Sequence, residues 1–408
     1  MATLGEIEVA GTPSGSVSGG AFPLAQTPEL SETVSVDEWN VEIESGNPYV
    51  AARNQESCGS GTIFDDSYEA AQKGLDILSI DGIGDYNCHN AVNRRIMWWE
   101  EGGEQVLRIV TISGLSVDAH AEIEVRDGDG NVIPQEEPDP TKWHESLRYF
   151  RLSQTTDDLF DAYRNYFLAF EMLLSSVVPL NKGEREKDWL QRALEKLNQR
   201  LPLEKSAPDE SNVAESIYQE QYVNTRLCLF HAKSDRPTLR PQNQDDRQQV
   251  QEAMNNLAHL FRTIVRDHLN TANRGGVTTY DGFDYMMEPL KSTGKVLISD
   301  SGGKSSYEER IDDSQWSNSI PLSTEYSPEL SEPGLRCVLG SEDVDSHSTI
   351  SPVQRVGLQM GDGSRDRNVL ASSDSLGVLL TIEDIDRFEA QVGIELRNSG
   401  MPKRNFPK

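Results

Sequence analysis

Asn224 to Lys233 reads N-T-R-L-C-L-F-H-A-K, which sets Arg226 and His231 five residues apart. These two side chains suit proton transfer beside an anion. A histidine exchanges protons near neutral pH. An arginine fork binds an oxyanion and stabilises charge that builds on it. Residues five apart on an ideal α-helix differ in direction by about 140°. Arg226 and His231 therefore share a site only if the helix ends between them, or if two copies of the chain meet there. The polar run from Ser234, with its prolines, fits an end near His231, where the helix C-terminus favours the imidazolium form. Asn224 precedes the pair. Lys233, Arg236 and Arg240 follow it, as a path for phosphates or as solvated loop charges.

Other motifs fail on spacing. Gly303-Lys304-Ser305 lacks the glycine that a phosphate loop needs six positions before the lysine, since Ile298 stands there. Asp127 to Asn131 opens like a calcium loop, but Val132 and Pro138 occupy the positions that need Gly and Glu. Cys58, Cys88, Cys228 and Cys337 form no C-x-x-C pair, so neither a zinc site nor a disulfide framework is expected. No metal and no cofactor is called for.

The balance of charge narrows the partners. The net charge is −29 and the mean hydropathy −0.56. Of 38 basic residues, 12 are Lys and 26 are Arg. An acidic, lysine-poor surface suits molar salt, where the Debye length falls to about 3 Å and self-repulsion is screened. In dilute buffer such a chain repels nucleic acid. In molar salt it gains little from counterion release, so RNA binding would rest on local arginines, stacking and hydrogen bonds. No basic-then-apolar leader and no apolar run of spanning length is read, which predicts a cytoplasmic protein off the membrane.

The elements that position the pair follow from periodicity. Residues 1–35, rich in Gly, Ser, Thr and Pro, predict a disordered tail. Residues 36–143 predict a mixed, mostly β domain: a short helix at 67–78 running into an apolar strand, a hairpin across Gly102-Gly103, and a strand from Ala119 to Val125. Trp98 and Trp99 read as packing residues. Residues 145–272 predict a helical bundle. Leu159, Tyr163, Tyr166, Phe170, Leu173 and Val177 keep one face, with Thr155 as N-cap and Pro179 as stop. Further helices are expected over 184–200, 212–230 and 245–269. Residues 277–408 predict a small β-rich region with long acidic loops over 299–350. The fold class is α+β and multidomain.

A bundle of this size with R-x4-H near the end of its penultimate helix resembles a HEPN domain. Residues 150–233 also resemble the MauJ-like methylamine-utilisation family, on Tyr149 to Glu171, on G-E-R-E at 183–186 and on N-T-R-L-C-L-F-H-A-K. The HEPN resemblance implies a metal-independent endoribonuclease. His231 would move a proton at the ribose 2′-OH or the leaving oxygen, and Arg226 would hold the phosphate. It also implies a homodimer with RNA or a nucleotide as partner. The alternatives are a non-catalytic module for dimerisation or ligand binding, and an accessory factor of a metabolic operon. The composition sets its own test. The unfolding temperature is expected to rise as potassium chloride goes from about 0.1 M to molar levels, and a flat profile in calorimetry would sink the halophilic reading.

Overall fold

The computed structural model describes residues 1–10, 16–116, 129, 141–156, 158–230, 237–241, 243–271, 278–300, 319–344, 352–361 and 369–397. The chain divides into two compact units. One joins residues 1–117 to 278–397, and the other spans residues 118–277 together with 398–407. The architecture is α+β.

The first unit is built on two sheets. Its first half supplies β1 (Ala2–Leu4), β2 (Ile7–Ala10), β3 (Ser18–Pro23), β4 (Glu32–Val36), β5 (Trp39–Ile43), β6 (Tyr49–Asn54), helix α1 (Ile63–Ile80), β7 (Arg94–Glu101) and β8 (Glu104–Ser116). Its second half supplies β9 (Lys295–Ser299), β10 (Ile320–Pro321), β11 (Ser323–Tyr326), β12 (Leu335–Asp343), β13 (Val353–Met360), β14 (Val369–Ile382) and β15 (Arg387–Arg397). One sheet runs β10-β9-β13-β14-β1-β2, the other β11-β12-β15-β8-β7-β3-β6-β5-β4. Among the described residues all strand pairs are antiparallel except β15 with β8. A shared core lies between the sheets, with Leu4, Leu380 and Val356 from one and Trp98, Leu107 and Val392 from the other. Helix α1 covers the opposite face of the long sheet, packing Tyr68, Ala71 and Leu75 on Phe22, Val41 and Ala52.

The structure departs from several sequence expectations. Residues 1–35 hold strands rather than a disordered tail. β1 lies between β14 and β2, and β3 between β7 and β6. Three- and four-residue strands show no usable period of their own; their burial comes from partners hundreds of residues away, as in Ala2 opposite Ile382. The two β regions likewise fold as one unit rather than as separate N- and C-terminal domains. The 67–78 segment is helical throughout, inside α1, because its apolar tail packs on the sheet instead of joining it. The stretch entering 277–300 begins with two short helices, Tyr280–Met286 and Glu288–Thr293, before β9. Strands β11 and β12 lie within the stretch expected to be loops. The expected strand from Ala119 to Val125 falls outside the described residues. The β7–β8 hairpin stands as read, with Gly102 and Gly103 at φ of 65° and 89° supplying a turn that L side chains resist. Trp98 and Trp99 are both buried.

The second unit is helical: α2 (Ser146–Thr155), α3 (Leu159–Val177), α4 (Glu186–Asn198), α5 (Val213–Tyr218), a π-helical segment (Gln219–Arg226), α6 (Leu227–Phe230) and α7 (Gln244–Leu269). Its core joins Tyr163, Tyr166, Phe170 and Leu173 of α3 to Leu190 and Leu194 of α4 and to Met254, Leu257 and Phe261 of α7. The α3 cap is Asp158, whose side chain accepts from the Asp161 N–H at 2.7 Å; Thr155 instead closes α2. Among the described residues no helix is long and apolar enough to cross a membrane.

Gly19 shows how tightly the first unit is packed. A Cβ there would clash with the Trp98 ring and sit 2.5 Å from the Ala52 carbonyl. Gly19→Ala is expected to cost about 1–3 kcal/mol in denaturant unfolding, the range for overpacking. Gly59→Ala, at a position with nothing within 4 Å, should leave the midpoint unchanged.

Candidate functional site

The helix that carries Arg226 is not a plain α-helix. Over Gln219–Arg226 its hydrogen bonds run to the fifth residue back, and the Leu227 N–H donates to the Tyr222 carbonyl. Two side chains follow the same step. Thr225 Oγ1 donates to the Glu220 carbonyl at 2.8 Å, and the Cys228 thiol reaches the Val223 carbonyl at 3.7 Å. The cause lies on the neighbouring helices. The Gln221 side chain is buried, and its amide donates to the Ala253 carbonyl of α7 at 2.9 Å. The Tyr163 hydroxyl of α3 lies 2.9 Å from both the Gln221 carbonyl and its Oε1. A side chain inserted at a helix carbonyl is one of the known ways to break the i→i−4 ladder. Glu220 joins the same network, accepting from Asn256 at 2.7 Å and from Gln221 at 2.6 Å.

This segment carries Arg226 toward the start of α4. Its Nη2 lies 2.9 Å from Oε1 of Glu186, the first residue of α4. The contact is ionic rather than an aligned hydrogen bond, since Glu186 Oε1 and Arg226 Nε both lack a hydrogen-bond partner among the described residues. The guanidinium stands 5.2 Å from the ring centres of both Tyr222 and Phe230, with Tyr218 stacked on Tyr222 at 5.4 Å. The arginine side chain is 18% exposed. Glu171 of α3 completes the group. Burial first, then the charge of Glu186, raises its pKa; Arg226 opposes them, and the nearness of the Glu186 carboxyl adds to the rise. The arrangement therefore groups two carboxyl side chains and a guanidinium, closed by aromatic rings.

The other expected site residues are not drawn into this group. Asn224 is exposed, and its carbonyl accepts from Gln249 of α7 at 2.8 Å. Arg240 is exposed beside the first turn of α7, where its backbone N–H donates to Asp246 at 2.8 Å. His231, Lys233 and Arg236 lie outside the described residues. The carbonyls that end α6 are already served: Cys228 by the Leu239 N–H at 3.4 Å and Leu229 by Arg164 at 3.5 Å. Glu171, Glu186 and Tyr222 were missed as site residues. The first two lie inside the stretches that carry the family resemblance, but the pairing between them is not readable from spacing. Among the described residues no group of three or more His, Cys, Asp or Glu could hold a metal. Burial pushes the Cys88 thiol up to about 12 and Cys337 to about 11, so neither is a ready nucleophile.

Residues 146–266 match the model of a family described as methylamine utilization protein MauJ. The match runs from α2 through most of α7. No curated protein and no solved structure matches the chain.

The carboxyl pair makes a prediction with a definite sign. A carboxyl whose folded pKa is raised contributes stability that is complete below the ordinary value of 4.5 and is lost as pH rises through the raised value. Glu171→Gln keeps the neutral form at every pH. It is expected to raise the unfolding temperature at pH 7–8 in molar salt, with the gain vanishing near pH 4. A gain that is the same at all pH values would mean that Glu171 holds no excess proton.

Proposed function

We propose that residues 146–266 form a HEPN-like module that binds and dimerises rather than cleaves. The observation that carries this reading is the commitment of Arg226. Its charge is met by Glu186, its flat faces by Tyr222 and Phe230, and its Nε is sealed from solvent. A phosphate reaching this arginine would displace the Glu186 side chain and stand beside a second acidic side chain, Glu171. With the surrounding acidity, that geometry disfavours an RNA backbone. The match to the MauJ family model supports a shared helical core for this region. It is also what supports the accessory-factor reading, since the family's description concerns methylamine utilization.

A second reading, a metal-independent endoribonuclease acting through attack of the ribose 2′-OH, has one observation in its favour. Arg226 ends a π-helical segment, and such segments occur frequently at functional sites. In that reading Arg226 leaves Glu186 to hold the phosphate and His231 moves the proton.

One assay separates the two. Purified full-length protein in molar salt with a chelator is incubated with labelled RNA, and its mass is followed by light scattering. The binding reading expects a dimer, intact RNA, and His231→Ala indistinguishable from the parent. Cleavage to 2′,3′-cyclic phosphate ends that falls by about 100-fold or more in His231→Ala, the scale of a lost general acid or base, would instead establish the nuclease.

A further inference from the structure

A separate group of charges lies in the first unit, on the face of the long sheet that α1 partly covers. Strand alternation puts Arg95, Met97 and Trp99 of β7 on this face. The register carries the face across the sheet. Met97 stands opposite Arg108, which stands opposite Glu389; Arg95 stands opposite Val110, which stands opposite Gln391. In the adjacent row Gly393 stands opposite Cys337, whose sulfur fills the space of the missing side chain: a Cβ on Gly393 would sit 2.8 Å from it.

The charges here are unevenly paired. Arg108 binds Glu389 at 2.7 Å and lies 4.9 Å over the Trp99 ring. Arg387 takes the other oxygen of Glu389 at 3.1 Å and pairs with Glu101 and Glu104 as well. The buried carboxylate of β15 is thus shared by two arginines. Arg95 has no such partner among the described residues. It lies 4.3 Å from the Phe64 ring centre and donates to the Val92 carbonyl, while its Nε is sealed without an acceptor. Asp65 opposes its charge only across space. Burial, then the neighbouring charge of Arg108, lowers the Arg95 pKa to about 10. Gln391, 6% exposed, points its amide at the Cys337 sulfur 3.8 Å away, a weak acceptor. Arg95 and Gln391 therefore keep donor capacity that no carboxylate among the described residues takes up. Arg95 as a whole is only partly buried.

We propose that this face binds a small oxyanion, a carboxylate or a phosphate group, held by the guanidinium of Arg95 with the Gln391 amide beside it and Arg108 adding its field. The site stands apart from Arg226 and does not depend on the HEPN-like reading.

The test uses the full chain at constant ionic strength, with inorganic phosphate in one arm and acetate in the other. Wild type is expected to show a saturable rise in unfolding temperature, about 5 °C at 100-fold excess over Kd. A response to phosphate alone assigns a phosphate; a response to both assigns a general oxyanion site. Arg95→Met should abolish the rise while leaving the ligand-free protein at least as stable, because it removes a partly buried cation that forms no ion pair among the described residues. Should that variant not fold, Gln391→Leu keeps the cation and is expected to weaken apparent binding about tenfold, the effect of one lost hydrogen bond to a charged group. Wild type indifferent to both anions, or variants that respond as wild type does, overturns the proposal.

Discussion

The helical unit turns on one buried amide. Gln221 sits in an apolar core, where an unmet amide would cost about 1–3 kcal/mol. Its hydrogen bonds to Ala253 and its contacts with Tyr163 remove that cost by tying α7 and α3 to one point of the intervening helix. The backbone there opens to the wider step, and Thr225 and Cys228 bond five residues back. The widened turn sets where Arg226 emerges. A regular α-helix through the same residues would rotate the arginine away from its present place beside Glu186. Local charge chemistry at Arg226 is thus a consequence of polar satisfaction inside the bundle.

The long helices were legible because each presents an apolar face that recurs every three or four residues. Leu159 to Val177 is the clearest case, and its buried positions agree with that stripe. The π-helical segment was not legible. Tyr218, Tyr222, Thr225 and Leu229 follow α-like steps of 4, 3 and 4, and the residue that changes the step is bound by a tyrosine 58 positions earlier. Arg226 could be singled out by residue type and by its place near the end of a helix. Its partners could not, because Glu171 and Glu186 reach it from two other helices. The early strands failed for a related reason. Their small residues are informative only against their partners: Gly19 makes room for Trp98, and Gly20 for Ser67 of α1.

The first unit extends that lesson to topology. Its sheets are completed by strands from both ends of the sequence, with β1 joined to β14 and β8 joined to β15. The β15–β8 pair is parallel across a separation of more than 270 residues, from Val106 to Arg387. Composition along the chain changes at the helical insertion and changes back after it, which reads as three successive regions. Only pairing reveals that the outer two are one body.

The choice of arginine over lysine ties these features together. A guanidinium is more weakly hydrated than an ammonium and can lie flat against a ring, so it loses less on leaving water. The described residues use it that way repeatedly: Arg95 on Phe64, Arg108 on Trp99, Arg226 between Tyr222 and Phe230. In an acidic chain with 26 Arg and 12 Lys, these stacked cations place positive charge in sites where screening by salt is weakest. Surface carboxylates lose their influence as salt rises, whereas half-buried arginines keep theirs. In concentrated salt, recognition by charge would fall to such points, and the two candidate sites differ in one respect that decides their character. Arg226 already has its carboxylate, while Arg95 does not.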